Sequence, residues 1–300
     1  MVPRIRTFSH HCREQYGRAV GKIPLDVGIP CPNRLTGGCI YCRPASFTPL
    51  CLDAGDDVKR QLQLGKDQLI KGRFKAYFGY FQQETVTALP ADQLFPLFEM
   101  VLQDSGCVGL ILSTRPDYLS AELIQHLAQL TRQAEKECLV ELGLQSMHTK
   151  SLQLLNRNHS LDDFVRAAQA VKKHPQLQLG AHVIFGIPGE SQQEMLDTVA
   201  FVSELGVDAL KLHHLQVIAE TPLHDMYLNG EVEPFTLDGY LELLMMVLPI
   251  IPPTITLHRL WSTAHPSLLV APKWHVLTGQ LSRLLQEKME ARSLFQGCAL

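Results

Sequence analysis

The chain contains 300 residues, of which 46% are hydrophobic, 19% are charged and 7% are aromatic. This composition is typical of a soluble globular protein and excludes a disordered tail or a collagen-like repeat. Lysine and arginine total 27 against 30 aspartate and glutamate, which gives a net charge of −3. The overall charge therefore provides no strong attraction to nucleic acid or to an anionic membrane, although a local basic patch remains compatible with it.

No apolar run reaches the roughly 18 residues that a membrane-spanning helix needs. Residues 1–18 also lack the hydrophobic region of a signal peptide. We therefore expect a cytoplasmic protein with no membrane partner. In a reducing compartment, clustered cysteines more often bind metal or carry out redox chemistry than form disulfides. Three of the eight cysteines, Cys31, Cys39 and Cys42, lie within twelve residues.

Short apolar runs rich in β-branched and aromatic residues recur along the chain, each followed by a polar stretch with helical periodicity. Strands are predicted over Lys22 to Val27, Phe74 to Phe81, Val108 to Leu112, Leu139 to Leu144, Leu177 to Ile187 and Asp208 to Ile218. Their hydrophobicity is continuous, which is typical of parallel strands buried on both faces. The pattern predicts an α/β fold with about six β/α units between residues 22 and 220.

The predicted helices between these strands have recognisable N-terminal caps. Ser191 precedes Glu194 by three residues in a capping box, and an apolar stripe follows it. Ser160 with Asp163 has the same pattern, and Ser120 begins a third amphipathic segment. These caps predict that a helix follows each of the corresponding strands.

The last 80 residues have a different organisation. They are predicted to form a helix over Leu237 to Leu248, a strand from Ile255 to Trp261 and a final helix from about Leu277 to Phe295. We expect residues 1–220 to form the main α/β unit. Residues 221–300 are expected to form a small α/β extension that covers this unit and does not fold independently.

The loop after the first predicted strand contains all three clustered cysteines, in a Cys-x7-Cys-x2-Cys pattern. Three thiolates with no obvious fourth ligand leave one iron of a four-iron cluster open to another molecule. A fourth ligand would instead complete a zinc site. Cys51, Cys12, His10 and His11 are the candidates for that ligand, so the loop alone allows both interpretations.

Several segments together resemble the radical S-adenosylmethionine (SAM) superfamily, and within it the YhcC/YtqA-like group, which is related to the radical SAM domain of the elongator catalytic subunit. Besides the cysteine loop, the segments are Glu141 to Ser146, Asn156 to His159 and His182 to Glu190. The resemblance covers nearly the whole chain. It implies a partial (β/α)6 barrel similar to a TIM barrel, with the C-terminal extension placed over it.

The resemblance also implies a [4Fe-4S] cluster and SAM as cofactors. It places the cluster on Cys31, Cys39 and Cys42, SAM ribose contacts at Gln145 and His182, the methionine carboxylate at Arg157 and adenine at Ile184. The usual Gly-Gly-Glu is missing after the second strand, so the Phe81 carbonyl and Gln82 are the expected substitutes. Glu141, a carboxylate in an apolar strand, is expected either to pair with a neighbouring basic group or to contact the cofactor in the cavity.

The substrate is not named by any motif. Lys211 and His213 share one face of the sixth strand, because successive strand residues alternate, and they are candidates for lining the substrate cavity. Arg115 is a third candidate, since it could either bind an anion or cap a helix. The substrate could be a small molecule, an RNA or a protein, and flavodoxin or ferredoxin is expected as electron donor. The alternatives are a radical enzyme that modifies tRNA or nucleosides, and a non-catalytic module stabilised by zinc.

Overall fold

The computed structural model describes residues 4–49, 52 and 55–300 of the chain. Seven parallel strands form one curled sheet in the order β1-β2-β3-β4-β5-β6-β8, and β7 and β9 form a separate antiparallel pair. The strands are β1 (Gly21–Leu25), β2 (Tyr77–Phe81), β3 (Cys107–Thr114), β4 (Glu137–Gln145), β5 (Gln178–Phe185), β6 (Ala209–His214), β7 (Val217–Ile218), β8 (Thr256–Arg259) and β9 (Leu269–Ala271).

Helices cover the outside of this sheet, so its strands are buried on both faces as their continuous hydrophobicity predicts. The helices are α1 (Phe8–Tyr16), α2 (Val58–Gly65), α3 (Ala91–Gln103), α4 (Ala121–Ala134), α5 (Thr149–Leu154), α6 (Leu161–Lys172), α7 (Gln192–Glu204), α8 (Pro222–Leu228), α9 (Leu237–Val247) and α10 (Thr278–Ala291). The predicted α/β fold and partial TIM-like barrel are confirmed.

The caps predicted from the sequence begin three of these helices. The Ser160 and Ser191 hydroxyls accept hydrogen bonds from the backbone N–H groups of Asp163 and Glu194, and both capping boxes are complete. Ser120 caps α4 through the N–H of Leu123. Because a cap depends on a few neighbouring residues, it can be identified without knowledge of the tertiary fold.

Some predicted boundaries differ from the structure. The second strand begins at Tyr77 rather than Phe74, and the last helix ends at Ala291 rather than near Phe295. The predicted strand from Asp208 to Ile218 is two elements, because the chain leaves the barrel sheet after His214 and pairs β7 with β9. Apolar residues continue through both elements, so hydrophobicity alone did not reveal the break.

The sheet has a seventh strand that comes from the C-terminal extension. Strand β8 pairs in parallel with β6, and Thr7 beside α1 forms a bridge with Leu257 on β8. One hydrophobic core contains residues from β1 through α10, such as Ile23 and Met289. The extension therefore packs into the same core as the preceding residues. Among the described residues, no helix combines the length and the apolar character needed to span a membrane.

Candidate functional site

A cavity of about 470 Å³ opens at the carboxyl ends of the barrel strands, where parallel α/β folds place their functional sites. Cys31, Cys39 and Cys42 line one part of it. Its volume lies within the usual range of small-molecule sites, about 300–1,000 Å³. The three clustered cysteines therefore face one space that is large enough to hold a ligand.

The cysteine loop is held by the segment that follows α5. Asn156 donates through Nδ2 to the carbonyls of Thr36 (3.0 Å) and Gly38 (2.7 Å). Asn158 Nδ2 donates to Asn33 Oδ1 at 2.9 Å. Asn156 and Asn158 both have φ of 52°, a left-handed conformation that asparagine tolerates better than most residues. The two asparagines on either side of Arg157 thus hold the loop in place.

Glu84 fixes the other side of the loop. Its carboxylate accepts from the backbone N–H of Cys31 and from Arg34, whose Nε and Nη2 donate at 2.9 and 3.1 Å. Thr85 Oγ1 donates to Cys31 Sγ at 3.1 Å. Glu84 has a left-handed φ of 50°. No local sequence pattern indicated that its side chain contacts the cysteine loop.

The chemistry of these sulfurs fits thiolate ligands. Cys39 Sγ accepts from Asn33 Nδ2 and from Arg157 Nη1, each at 3.3 Å, and such donors stabilise a negatively charged sulfur. The three sulfurs line one cavity, and three thiolates held there would need a positive centre to balance their charge. In the described part of the chain, no three histidine, cysteine or acidic side chains are grouped as the ligands of a single metal ion.

Arg157 is a buried cation at the cysteine end of the cavity. Its Nη2 donates to the Gly143 carbonyl at 2.9 Å, and its Nε donates to His159 Nε2 at 3.2 Å. Burial alone would lower the pKa of Arg157, but Tyr41 and Cys39 outweigh that effect and raise it. The side chain stays charged, and an anionic group bound beside Cys39 would lie within its reach.

Besides Arg157, four of the expected cofactor contacts line the cavity: Gln82, Gln145, His182 and Ile184. Gln145 has a left-handed φ of 76° at the end of β4. The Phe81 ring packs against Phe98 of α3, with 5.0 Å between the ring centroids, and Phe81 does not line the cavity.

Glu141 is fully buried and is not one of the side chains that line the cavity. Its carboxylate is shared by basic side chains, and a contact with the cofactor stays a prediction. Lys211 Nζ donates to Glu141 Oε2 at 2.5 Å, and His182 Nε2 lies 3.2 Å from the same oxygen. Burial alone would raise the pKa of Glu141, but Lys211 and the histidines outweigh that effect and hold it well below its usual value.

This carboxylate is the centre of a polar layer inside the barrel. Every strand of the seven-stranded sheet contributes to the layer, through Lys22, Tyr80, Ser113, Glu141, His182, Lys211 and His258. Burial lowers the pKa of Lys211 to about 8 even though Glu141 opposes the shift. The layer is tightly interconnected, and Tyr80, Ser113, His182 and Lys211 present it to the cavity.

The three candidate substrate contacts, Arg115, Lys211 and His213, all line the cavity. Arg115 binds Asp117 through two hydrogen bonds of 3.0 and 2.9 Å and donates to the Asn158 carbonyl. His213 faces the barrel, whereas the neighbouring His214 packs against Trp274 with ring centroids 4.2 Å apart. Cys51, the candidate fourth zinc ligand, lies outside the described residues.

Sequence reasoning assigned no site role to Glu84, Thr85 or Arg259, all of which line the cavity. Glu84 and Thr85 follow the second strand, where the motif expected from the family is missing.

The buried histidines predict that the protein loses stability in mild acid. Burial lowers the pKa of His182 to about 4 and that of His214 to about 3, so both are neutral in the folded protein. In the unfolded chain each takes up a proton below about pH 6.5. The free energy of unfolding should therefore fall between pH 7.5 and 5.5, by about 1 kcal/mol for each such histidine.

Urea unfolding at the two pH values measures this loss. His214→Phe should show a smaller difference, because at pH 5.5 it takes up about one proton fewer on unfolding. Equal free energies of unfolding for the wild-type protein at both pH values would contradict the prediction.

The sequence profile of the radical SAM superfamily matches residues 30–202, which include the cysteine loop, Arg157 and strands β2 to β5. The chain belongs to the radical SAM superfamily. The profile of the radical SAM C-terminal domain matches residues 207–291, which include β8. Radical SAM membership implies SAM and an iron–sulfur cluster.

Relatives place the chain in the YhcC/YtqA group of radical SAM proteins. It is 33% identical to YtqA of Bacillus subtilis over 300 residues, with 98% of this chain and 92% of YtqA covered. It is 31% identical to YhcC of Escherichia coli over 274 residues, with 90% and 87% covered. A tRNA uridine(34) acetyltransferase of Methanocaldococcus infernus is 29% identical over 197 residues, which cover 64% of this chain and 35% of that protein.

The structure of Elp3 from Methanocaldococcus infernus has the same radical SAM fold. Its TM-score is 0.70 at 21% identity, with 92% of this chain and 64% of that chain covered. This similarity supports the fold, and the family match makes the protein a radical SAM enzyme whose substrate is unknown. A non-catalytic zinc module is therefore not a suitable description of the chain.

Proposed function

We propose that the protein binds a [4Fe-4S] cluster through Cys31, Cys39 and Cys42 and cleaves SAM reductively. When bound, such a cluster supplies one electron, and the resulting 5′-deoxyadenosyl radical abstracts hydrogen from a substrate. The observation that carries the proposal is that the three thiols face one cavity together with Arg157. The loop supplies three clustered cysteines, and three thiolates leave one iron of a four-iron cluster open for SAM.

The surrounding side chains can hold SAM beside such a cluster. Arg157 lies 3.3 Å from Cys39 Sγ and could bind the methionine carboxylate with its planar fork. Gln145, His182 and Ile184 line the adjoining wall on β4 and β5, and we assign the ribose and adenine to them. Gln82 at the end of β2 and the Phe81 carbonyl are the proposed partners of the amino group.

Anaerobic reconstitution tests the proposal. The protein should bind about four iron and four sulfide ions per chain and become brown. After reduction in the presence of SAM it should release 5′-deoxyadenosine. Stoichiometric zinc after anaerobic purification, with no iron retained on reconstitution, would overturn the proposal.

Arg157 provides a second test. Arg157→Ala should weaken SAM binding at least tenfold, because a charge-assisted bidentate contact is lost, while iron content stays near that of the wild-type protein. Equilibrium binding of SAM to the reconstituted protein measures the change. Arg166→Ala is the matched control, since Arg166 is exposed and pairs with Asp163. Unchanged affinity in Arg157→Ala would contradict the assigned role.

A second candidate function is modification of a tRNA or nucleoside. It is favoured by the similarity to a tRNA uridine(34) acetyltransferase, although the match covers 35% of that protein. Because phosphate contacts release counterions, RNA binding should weaken steeply with salt.

A flavodoxin or ferredoxin is the proposed electron donor, and replacing it with a chemical reductant should still allow SAM cleavage.

A further inference from the structure

The cavity wall formed by β6 and β8 carries an excess of positive charge. Among the described residues that line the cavity, Glu84 is the single carboxylate, and it is paired with Arg34. Lys211 and Arg259 are register partners on the neighbouring strands β6 and β8. Two like charges side by side on one face of a sheet repel each other, so this arrangement is unfavourable for the fold alone.

An irregularity in β8 brings Arg259 to this wall. Leu210 pairs with Leu257 and Lys211 pairs with Arg259, so His258 is an extra residue on β8. Successive residues of a regular strand point to opposite faces. Here His258 Nδ1 lies 3.4 Å from Glu141 Oε1, and Arg259 lines the cavity, so both point into the barrel. Such bulges often re-aim a side chain next to an active site.

Arg259 has no carboxylate partner among the described residues. The carboxylate inside the barrel belongs to Glu141, which is already paired with Lys211 and contacts two histidines. The other two arginines of the cavity differ, since Arg115 is bound to Asp117 and Arg157 donates to Cys39 and Gly143. Arg259 is thus a charged fork in the cavity wall without an acidic partner in the described part of the chain.

His213 adds an unused polar atom at the same wall. Ser262 Oγ donates its one proton to the His214 carbonyl at 2.8 Å, so it can only accept from His213 Nδ1, 3.2 Å away. This fixes the proton on Nδ1 and leaves a lone pair on Nε2. That atom is buried and has no hydrogen-bond partner. A ligand that places an O–H or N–H group beside it would satisfy it.

This wall is separate from the cysteine end of the cavity. Gly143, His182, Lys211 and Arg259 form one row of register partners across β4, β5, β6 and β8. Neighbouring strands lie about 4.8 Å apart, so Arg259 is about 14 Å from Gly143 along the sheet. Arg157 donates to the carbonyl of Gly143. The cavity therefore has two cationic points, which belong to different parts of its wall.

We infer that Arg259, Lys211 and His213 bind the substrate, and that this substrate is a small molecule with a carboxylate or phosphate group and a nearby hydroxyl or amine. Arg259 would bind the anion with its planar fork, Lys211 would add charge, and His213 Nε2 would accept from the hydroxyl or amine. The term substrate rests on the proposed function, whereas the anion site rests on this wall alone. The cavity of about 470 Å³ must also hold SAM, which favours a small substrate.

Thermal unfolding with inorganic phosphate or acetate tests the inference, with chloride added to keep the ionic strength constant. Phosphate at about five times its Kd should raise the Tm of the wild-type protein by about 1.5–2 °C more than that of Arg259→Gln. Arg283→Gln is the matched control, because it removes the same charge from an exposed surface pair with Glu287. Each anion should raise its Tm as much as that of the wild-type protein, since general salt effects act on all variants.

Without added anion, Arg259→Gln should have a Tm equal to or above that of the wild-type protein, because the repulsion from Lys211 is relieved. The inference would be overturned if Arg259→Gln had a lower Tm than the wild-type protein without added anion. It would also be overturned if phosphate and acetate each raised the Tm of the two proteins by the same amount. If anions raised the Tm only when Arg259 is present, but the protein formed no cluster, the proposed function would be refuted and the anion site would stand. SAM cleavage without any anion response would refute the anion site alone.

Discussion

Replacing Cys31, Cys39 and Cys42 together with alanine should abolish iron and sulfide binding, the brown colour and the formation of 5′-deoxyadenosine. The expected loss is complete, because the three thiolates are the proposed protein ligands of the cluster and the cluster supplies the electron. Metal analysis, visible absorption and chromatographic measurement of 5′-deoxyadenosine test the three consequences separately.

The variant should still fold, since contacts other than the sulfurs hold the loop. Asn156 and Asn158 bind it on one side, and Glu84 binds Arg34 and the N–H of Cys31 on the other. The matched control replaces Cys107, Cys138 and Cys298, which lie outside the cavity, with alanine. A cysteine loop variant that retained iron and cleaved SAM would refute the assignment.

Cys51 is tested separately by Cys51→Ala. If three cysteines suffice, this variant should retain the full iron content and the rate of SAM cleavage. Loss of the cluster in this variant would mean that a fourth thiolate is needed, which would leave no open iron for SAM. Iron analysis of the reconstituted variant decides between the two outcomes.

Local patterns predicted most of the fold. Buried parallel strands have continuous apolar runs, and the caps at Ser160 and Ser191 depend on residues three positions away. The seventh strand was recognised as a strand, but its pairing with β6 was not predicted. That pairing joins residues more than 40 positions apart in the sequence, and no local pattern encodes it.

The candidate site, like the fold, could be predicted from the sequence only in part. The cysteine spacing and the family resemblance predicted the loop and Arg157, which the structure brings to one cavity. Glu84 and Arg259 were not assigned to the site, because one depends on a left-handed φ and the other on a bulge in β8. For Glu141 the pairing with basic groups could be established only by knowing which of them the fold places beside it.

The buried pair of Glu141 and Lys211 leads to the second large prediction. Lys211→Met should lower the free energy of unfolding by about 3–5 kcal/mol, because it removes the closest partner of a buried carboxylate. Glu141→Gln should lower the free energy of unfolding by a similar amount, since it leaves Lys211 beside Arg259 and Lys22 without a negative charge. Urea unfolding at pH 7.5 measures both changes.

The double variant distinguishes the pair from simple loss of packing. Glu141→Gln with Lys211→Met removes both charges, so it should cost less than the sum of the two single changes, by about 0.5–3 kcal/mol. Glu242→Gln is the surface comparison, because Glu242 pairs with Lys288 and Arg292 in solvent and should cost less than either buried single change. If the effects of the single variants simply added, the two charges would not interact, and the layer inside the barrel could not depend on Glu141 to hold Lys211 at the cavity wall.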